Sequence, residues 1–317
     1  MAKKINEKKK YNIIGDIHGR KCWKELIDNE CINVFVGDYF SPYHKELTFE
    51  VCLENLKEII EYKKAHPETI LLIGNHDIDH WKLLGKDARI SRHDYLHQKE
   101  IYDFFEENKS YFQAAYSIGN KYLVTHAGVS ILWYYRILME KTLCIKLKAE
   151  PTMIWDLSNI NAETALDAFK IKDSAIAKES FNGIPFDKPQ DGLVVYFKNK
   201  WHIASNGTFA RIDNLTPDFI ADAINHVFEV YPEEFSFNRN ADWNDTYGNS
   251  TTQSPMWIRP ESLGESNVFK GNKKYNQVVG HTMFEHINGA DPKGKKHNPI
   301  IFVDCLEYNA ESFKFSV

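Results

Sequence analysis

The chain has 317 residues, of which 43% are hydrophobic, so it can bury one large core or two smaller ones. Its formal net charge of -5 gives no overall attraction to nucleic acid or to an acidic membrane, although a local basic groove would not show in that sum. No apolar run approaches the roughly 20 residues that span a bilayer. The five cysteines form no CxxC pair. Since we also find no secretory signal, we expect a cytoplasmic protein.

The first third of the chain alternates between strand and helix patterns. After a basic arm over residues 1–10, the predicted elements are a strand at 11–16, a helix at 21–29, a strand at 32–37, a helix at 46–64 and a strand at 69–73. This alternation predicts right-handed crossovers and a largely parallel sheet, hence the α/β class. In such sheets, functional groups collect at the carboxyl ends of the strands.

The rest of the chain has fewer clear patterns. A helix is predicted at 97–108, a hairpin at 114–128, a helix from Trp133, a second hairpin at 193–203 and a helix that Thr216 caps and that runs to Tyr231. Strands follow at 277–280, 299–305 and 313–317, and the last is expected to pair as a meander. We therefore predict a core formed by residues 11–132 and 256–317, with an insertion or cap at 133–255.

Five predicted strands end in polar residues that could bind metal. The segments are IIGDIHG, VFVGDYF, LLIGNHD, LVTHAG and VVGHT, and they place Asp16, His18, Asp38, Asn75, His76, His126 and His281 just after apolar runs. One such residue would be an ordinary turn residue, but five occurrences beside glycines favour a shared site. Oxygen and imidazole ligands suit Mn²⁺, Fe or Zn²⁺. A carboxylate such as Asp38 can bridge two cations, which together activate water and hold phosphoryl oxygens.

Taken in order, these blocks resemble the GDxH, GDxx, GNH, HAG and GHT motifs of the calcineurin-like metallophosphoesterases. The resemblance implies an α-β-β-α sandwich of two mixed sheets flanked by helices. It implies attack on phosphorus by a metal-bridging hydroxide, with two divalent ions, Mn²⁺ foremost and Fe or Zn²⁺ as alternatives. The implied ligands are Asp16 and His18 on one metal, Asp38 on both, and Asn75, His126 and His281 on the second. His76 corresponds to the histidine that assists the leaving group.

Within that family, HAG followed by a distant GHT is similar to the phosphoprotein phosphatase and bacterial diadenosine tetraphosphatase branch. The segment SPMWIRPESL strengthens the similarity and makes Arg259 the candidate phosphate-binding arginine. The block GDYFSPY departs from the branch's GDxxDRG, because the arginine that holds phosphate and the aspartate that orients the acid histidine are both missing. Candidate substitutes for them are Tyr43 or His44, Asp77 or Asp79, and Arg89 or Arg92.

Losing one arginine should weaken the binding of a dianionic phosphomonoester, which makes phosphodiesters and polyphosphates more competitive. The main hypothesis is therefore a dinuclear phosphoesterase acting on a phosphate ester or anhydride. The alternatives are a serine/threonine-type protein phosphatase and a catalytically degenerate metal-binding module. The expected partner is a phosphorylated substrate, whether nucleotide, small phosphodiester or phosphoprotein, with no membrane and with a nucleic-acid substrate left open.

The predicted insertion is rich in aromatic residues, which could stack on a base or build a small core. They include Trp133, Tyr134, Tyr135, Trp155, Trp201, Trp243 and Tyr247. We favour the small core, because aromatic side chains more often serve packing. His286, which follows the GHT block, is interpreted as structural.

Overall fold

The structure is a computed structural model that describes residues 8–81, 93–137, 154–156, 193–197, 200–205, 208–211, 215–237, 245–289 and 299–317. Within these residues the strands form three sheets. Two of them pack face to face and carry the candidate site. None of the described helices is both long and apolar enough to cross a bilayer.

The first sheet contains the strands predicted from the first third of the chain. Its parallel members are β1 (Lys10–Ile14), β2 (Ile32–Phe35), β3 (Ile70–Leu72) and β4 (Phe112–Gln113). They are connected through α1 (Trp23–Leu26), α2 (Phe49–Ala65), α3 (Asn75–Ile78) and α4 (Gln98–Asn108). The predicted parallel order of these strands is confirmed.

The second sheet begins with the predicted hairpin, formed by β5 (Ala115–Ile118) and β6 (Tyr122–Thr125) in antiparallel pairing. The turn places Gly119 and Asn120 at φ 58° and 48°, a left-handed conformation that both residue types tolerate. Two later strands, β11 (Asn276–Val279) and β12 (Ile300–Phe302), complete the sheet in the order β12-β11-β6-β5. Because β11 is parallel to β6, the carboxyl ends of these two strands lie at the same edge.

The third sheet belongs to the predicted insertion. It contains β7 (Ile154–Asp156), β8 (Leu193–Phe197), β9 (Lys200–Ser205) and β10 (Thr208–Arg211) in the order β10-β9-β8-β7. Antiparallel pairing of β8 with β9 confirms the second predicted hairpin.

The core has an inner layer between the first two sheets and outer layers beneath the helices. Alternate residues of each strand point to opposite faces, so Ile13 joins the inner layer whereas Ile14 faces the helices. The inner layer is lined by Tyr11, Ile13, Val34, Val36 and Leu72 from one sheet and by Ile118, Val124, Val278, Ile301 and Val303 from the other. This is the predicted α-β-β-α sandwich with two mixed sheets.

Of the helices that follow the hairpin, one covers the second sheet. Helix α6 (Pro217–Val230) begins as predicted, with Thr216 Oγ1 accepting the Phe219 N–H at 3.3 Å. It packs on β5, where Asn225 exchanges hydrogen bonds with the backbone of Ala115. Helix α5 (Ile131–Ile137) is the start of the helix predicted from Trp133, and the remainder of that prediction lies outside the described residues. The boundaries of the 133–255 insertion stay a prediction.

The partner of the last strand was predicted wrongly. Strand β13 (Ser312–Ser316) does not continue a meander from β12 but crosses to the first sheet and pairs antiparallel with β1. Its Phe315 ring lies 5.8 Å from that of Tyr11 and 4.5 Å from that of Tyr122, so it closes one end of the inner layer. The alternating pattern indicates a strand, but it does not identify the sheet edge that offers free backbone groups.

Candidate metal centre

The predicted ligands meet where the two sheets share an edge. Asp16, Asp38 and His126 are each 0% or 1% exposed, and one ligand atom from each lies within 4.8 Å of those of the other two. They follow β1, β2 and β6, whose carboxyl ends point to the same edge. A buried group of two carboxylates and an imidazole of this kind can bind a divalent cation.

Unusual backbone conformations allow these loops to approach one another. His18, Asp38 and His281 have φ values of 44°, 53° and 63°, which cost an L-residue about 1–2 kcal/mol each and are typical of functional sites. Close contacts explain two of the flanking glycines. A Cβ at Gly280 would overlap the Asp16 carboxylate, and one at Gly74 would overlap that of Asp38. Larger residues there would push the ligands apart.

His126 is a neutral ring whose inner nitrogen faces two oxygen acceptors. Its Nδ1 lies 2.8 Å from the Val36 carbonyl oxygen and therefore donates a proton there. Burial lowers its pKa to about 4, so the ring is neutral at pH 7. The Nε2 lone pair then faces Asn75 Oδ1 at 2.8 Å and Asp38 Oδ2 at 3.6 Å. Three acceptors facing one another repel, and a cation between them satisfies all three.

His18 has the same arrangement as His126. Its Nδ1 lies 2.9 Å from the Phe40 carbonyl oxygen, and its Nε2 faces Asp38 Oδ2 at 3.5 Å. His281 differs, because its Nδ1 faces the centre and lies 2.7 Å from Asn75 Oδ1; burial lowers its pKa well below the usual range. All six predicted ligands are thus brought together, with Asp38 facing both His18 and His126. The carbonyl contacts of His18 and His126 turn their Nε2 atoms toward the centre, as in many metal sites.

Asp304 is a carboxylate near the predicted ligands that was not among the site residues predicted from the sequence. It lies two residues past β12, is 1% exposed, and its Oδ1 has no hydrogen-bond partner in the described part of the chain. Burial raises its pKa to about 7, and burial followed by the Asp304 charge raises the pKa of Asp16. The position after an apolar strand was the available signal, but no glycine flanks Asp304. This concentration of buried negative charge favours a bound cation.

Asp77, a predicted substitute for the missing aspartate, ties two ligand loops together. Its carboxylate accepts the backbone N–H groups of Asp38 at 2.7 Å, Tyr39 at 2.9 Å and Gly74 at 3.0 Å. Asp79, the other predicted substitute, is also buried, which raises its pKa well above the usual range. The candidates Arg89 and Arg92 lie outside the described residues. Asp77 therefore fixes the backbone on which Asp38 and Asn75 are presented.

A cavity of about 490 Å³ opens in front of the ligands, and it contains both predicted catalytic residues. His76 lies on its wall, with its ring 5.4 Å from that of His18 and its backbone N–H donating to Asp38 Oδ1 at 2.8 Å. Arg259 enters from the opposite loop, where Nε donates to the Tyr247 carbonyl at 3.0 Å and Nη1 to Thr282 Oγ1 at 3.2 Å. Of the described residues that line the cavity, Arg259 is the only arginine or lysine.

Tyr43 and His44, the two predicted substitutes for the missing phosphate-binding arginine, lie in different surroundings. Tyr43 lines the cavity, and its ring meets that of His18 edge-on at 4.8 Å. His44 instead pairs with Glu307, with 3.0 Å between Nε2 and Oε1. His286 is 2.7 Å from Glu311 on the surface, in agreement with a structural role. The residue that faces the site is therefore a tyrosine rather than a histidine.

The buried carboxylate and histidine cluster lies at the shared edge of the two-sheet sandwich. Residues 9–164 match the family model of the calcineurin-like phosphoesterases. This part of the chain is similar to that family, whose members are phosphoester hydrolases that use divalent metal ions.

Comparison with curated proteins finds no match. Among solved structures, a protein serine/threonine phosphatase from Saccharomyces cerevisiae, described as similar to human phosphatase PP5, matches at 22% identity and a TM-score of 0.27. The match covers 38% of this chain and 38% of that one.

Proposed function

We propose that this chain is a dinuclear metal-dependent phosphoesterase that hydrolyses a phosphate ester or anhydride. The observation that carries the proposal is the convergence of acceptor atoms around Asp38, where His18 Nε2 and His126 Nε2 lie 3.5 Å and 3.6 Å from the same carboxylate oxygen. We assign Asp16 and His18 to one cation, Asn75, His126 and His281 to the other, and Asp38 to both. Mn²⁺ suits this set best, with Fe or Zn²⁺ as alternatives.

Two cations, when bound, would activate a water for attack on phosphorus and neutralise the phosphoryl oxygens. The protein prepares the ligands for that task. The carbonyl oxygens of Val36 and Phe40 hold His126 and His18 in the tautomer that presents the Nε2 lone pair to the metal site. The Asp77 carboxylate accepts the backbone N–H groups of Asp38 and Gly74 and thereby keeps Asp38 and Asn75 at fixed separation.

His76 is the proposed general acid. It lies on the cavity wall, 7% exposed, next to the ligands rather than among them. From this position it can donate a proton to the leaving oxygen, a contribution that is typically worth about 10²–10⁴ in rate. Its backbone hydrogen bond to Asp38 sets the distance between the acid and the reaction centre.

Arg259 is the proposed phosphate-binding residue. The Tyr247 carbonyl and Thr282 hydroxyl hold its guanidinium, which suits it to contact phosphoryl oxygens. With Tyr43 where a second arginine would stand, the described cavity wall offers a single fixed positive charge, that of Arg259. The site should therefore favour monoanionic phosphodiesters over dianionic phosphomonoesters more than a site with two arginines does.

The test is hydrolysis of bis-para-nitrophenyl phosphate and para-nitrophenyl phosphate with Mn²⁺. We expect turnover of both, a high diester-to-monoester ratio, and loss of turnover in Asp38→Asn. The matched control Asp103→Asn changes an exposed carboxylate on α4 and should leave the rates unchanged. Turnover in Asp38→Asn equal to that of the wild type would overturn the proposal.

Two other outcomes correspond to the remaining hypotheses. Strong preference for phosphoserine peptides over both nitrophenyl esters would identify a protein phosphatase. Purification from a Mn²⁺-supplemented culture with metal content near zero would instead indicate a degenerate binding module.

A further inference from the structure

Exposed tyrosines are concentrated at the mouth of the site. The described residues include seven large hydrophobic side chains that are exposed, and three of them, Tyr43, Tyr247 and Tyr308, line the cavity in front of the ligands. Tyr247 and Tyr308 are 74% and 61% exposed, and neither ring contacts another aromatic ring within the described chain. This corrects the sequence-based interpretation for Tyr247, which is not part of a small core, whereas Trp133 and Tyr134 are buried.

Aromatic rings also form the walls that lead from this mouth to the metal ligands. On one side, the ring of His281 lies 6.0 Å from Trp257, which lies 4.8 Å from Phe237. On the other side, His18 is in edge contact with Tyr43. A substrate held at the centre would thus meet flat apolar surfaces on two sides and only Arg259 as a fixed cation on the described wall.

The loops that carry the mouth tyrosines are held by hydrogen bonds. The Asp245 carboxylate accepts the N–H groups of Tyr247, Asn249 and Ser250 at 3.2, 2.9 and 2.6 Å. Tyr308 closes a turn by donating its N–H to the Cys305 carbonyl at 3.0 Å. Ordered loops present the exposed rings at low entropic cost, which is a property of binding surfaces.

We infer that the substrate carries a planar aromatic group within reach of a single reacting phosphate, and that this group packs against the rings of the cavity mouth. The inference rests on the proposed function and adds to it a substrate class. The cavity volume of about 490 Å³ is far more than a phosphate needs and lies within the range of small-molecule sites, about 300–1,000 Å³. A nucleoside and a simple aryl group share the required ring.

The experiment compares diesters with the same charge and the same leaving group. The wild-type, Mn²⁺-loaded protein is assayed with the para-nitrophenyl ester of thymidine 5′-monophosphate, with phenyl para-nitrophenyl phosphate and with methyl para-nitrophenyl phosphate. We expect kcat/KM to be about tenfold or more higher for the diesters whose non-leaving group carries a ring than for the methyl diester, whose only ring is the nitrophenyl leaving group common to all three, given the usual worth of stacking. Comparison of the thymidine ester with the phenyl ester shows whether the site prefers a nucleoside or a simple aryl group. Equal rates for all three would overturn the inference.

Substitutions of the tyrosines at the cavity mouth test whether these rings cause the preference for an aromatic substrate. Tyr247→Ala and Tyr308→Ala should lower the ratio of kcat/KM for the ring-bearing diesters to kcat/KM for the methyl diester, and Tyr247→Phe should retain the wild-type ratio. Phe219→Ala, an exposed ring on α6 outside the cavity, is the matched control. If neither alanine variant changes the ratio between ring-bearing and methyl diesters, the inference fails.

Binding separates this inference from the proposed function. Calorimetric titration of the Mn²⁺-loaded protein with thymidine 5′-monophosphate and with ribose 5-phosphate needs no turnover. Tighter binding of the nucleotide without hydrolysis of any ester would contradict the proposed function alone. Hydrolysis with equal binding of the two ligands would contradict the aromatic substrate alone.

Discussion

Replacing Asp38 by asparagine should stabilise the metal-free protein while removing its response to metal. Ligand atoms of Asp16 and Asp38 lie within 4.8 Å of each other. Two full charges at that distance repel by about 3.5 kcal/mol at an effective dielectric constant of about 20. Because the pKa of Asp16 is raised, proton uptake already relieves part of this repulsion. The expected gain in the free energy of unfolding is therefore about 1–3 kcal/mol.

The amide that Asp38→Asn introduces would add a second stabilising effect. An N–H group in place of Asp38 Oδ2 would face the lone pairs of His126 Nε2 and His18 Nε2, which now meet an acceptor at 3.6 Å and 3.5 Å. A hydrogen bond to either ring contributes about 1 kcal/mol. The same replacement removes the negative charge that both proposed cations share, so their affinity should fall sharply.

The assay is urea denaturation at pH 7, first in EDTA and then in Mn²⁺. In EDTA the variant should unfold at higher urea than the wild type. In Mn²⁺ at about 100 times its dissociation constant, the wild type should gain about 2.7 kcal/mol for each site, and the variant little. A variant that is less stable in EDTA, or that gains as much from Mn²⁺ as the wild type, would refute the reasoning. Asp103→Asn should follow the wild type in both conditions.

Three further outcomes follow from the geometry. His76→Asn should lower kcat by about 10²–10⁴ while leaving Mn²⁺ affinity, measured by calorimetry, within a fewfold of the wild type; an equal loss of metal binding would contradict the assignment of His76 as an acid. Arg259→Ala should raise KM in steady-state kinetics more than Arg259→Lys does, because lysine keeps the positive charge and loses only the planar guanidinium. A lysine variant with the KM of the wild type would show that the planar geometry of the guanidinium is irrelevant. Asp77→Asn should lower the free energy of unfolding by about 2–4 kcal/mol, since a buried acceptor of three backbone N–H groups is disturbed. Chemical denaturation measures this loss, with the surface variant Asp103→Asn as the control. A loss below about 0.5 kcal/mol would show that the three hydrogen bonds of Asp77 contribute little to stability.

Most of the site could be predicted because it depends on local patterns. Apolar runs that end in Gly-Asp, Gly-Asn or Gly-His indicate both a buried strand and a sharp turn after it. Parallel order then brings the strand ends to one edge. The left-handed φ of Asp38 and of Gly37 before it shows why the turn residues and the ligands come together in sequence.

Features set by distant contacts could not be predicted. Helix α1 was expected at 21–29 but ends at Leu26, where Ile27 adopts ψ 135°. The Leu26 carbonyl accepts a hydrogen bond from Asn12 of β1, and the Asp28 carbonyl accepts one from Asn33 of β2. These strand side chains replace the helical partners, and the helix periodicity alone carries no information about them. The pairing of β13 with β1 also depends on contacts between residues that are distant in sequence.

Asp304 is the strongest case of a residue whose importance appears only in three dimensions. Gly15 packs against the backbone of Val303 and Asp304, and this contact places the Asp304 carboxylate beside Asp16. If the role of Asp304 is to position Asp16 through a shared proton or hydrogen bond, Asp304→Asn should retain the fold and weaken Mn²⁺ affinity by about 10–100-fold, as replacements behind metal ligands do.

Calorimetry with Mn²⁺ tests that expectation, and Asp304→Ala provides the comparison. The amide can still hydrogen-bond Asp16, whereas the methyl group cannot, so Ala should weaken binding more than Asn. Were the carboxylate merely a buried negative charge, both variants would remove it equally and would stabilise the metal-free protein to the same extent. The order of the two affinities therefore distinguishes positioning from charge, which a loss of activity in either variant could not do.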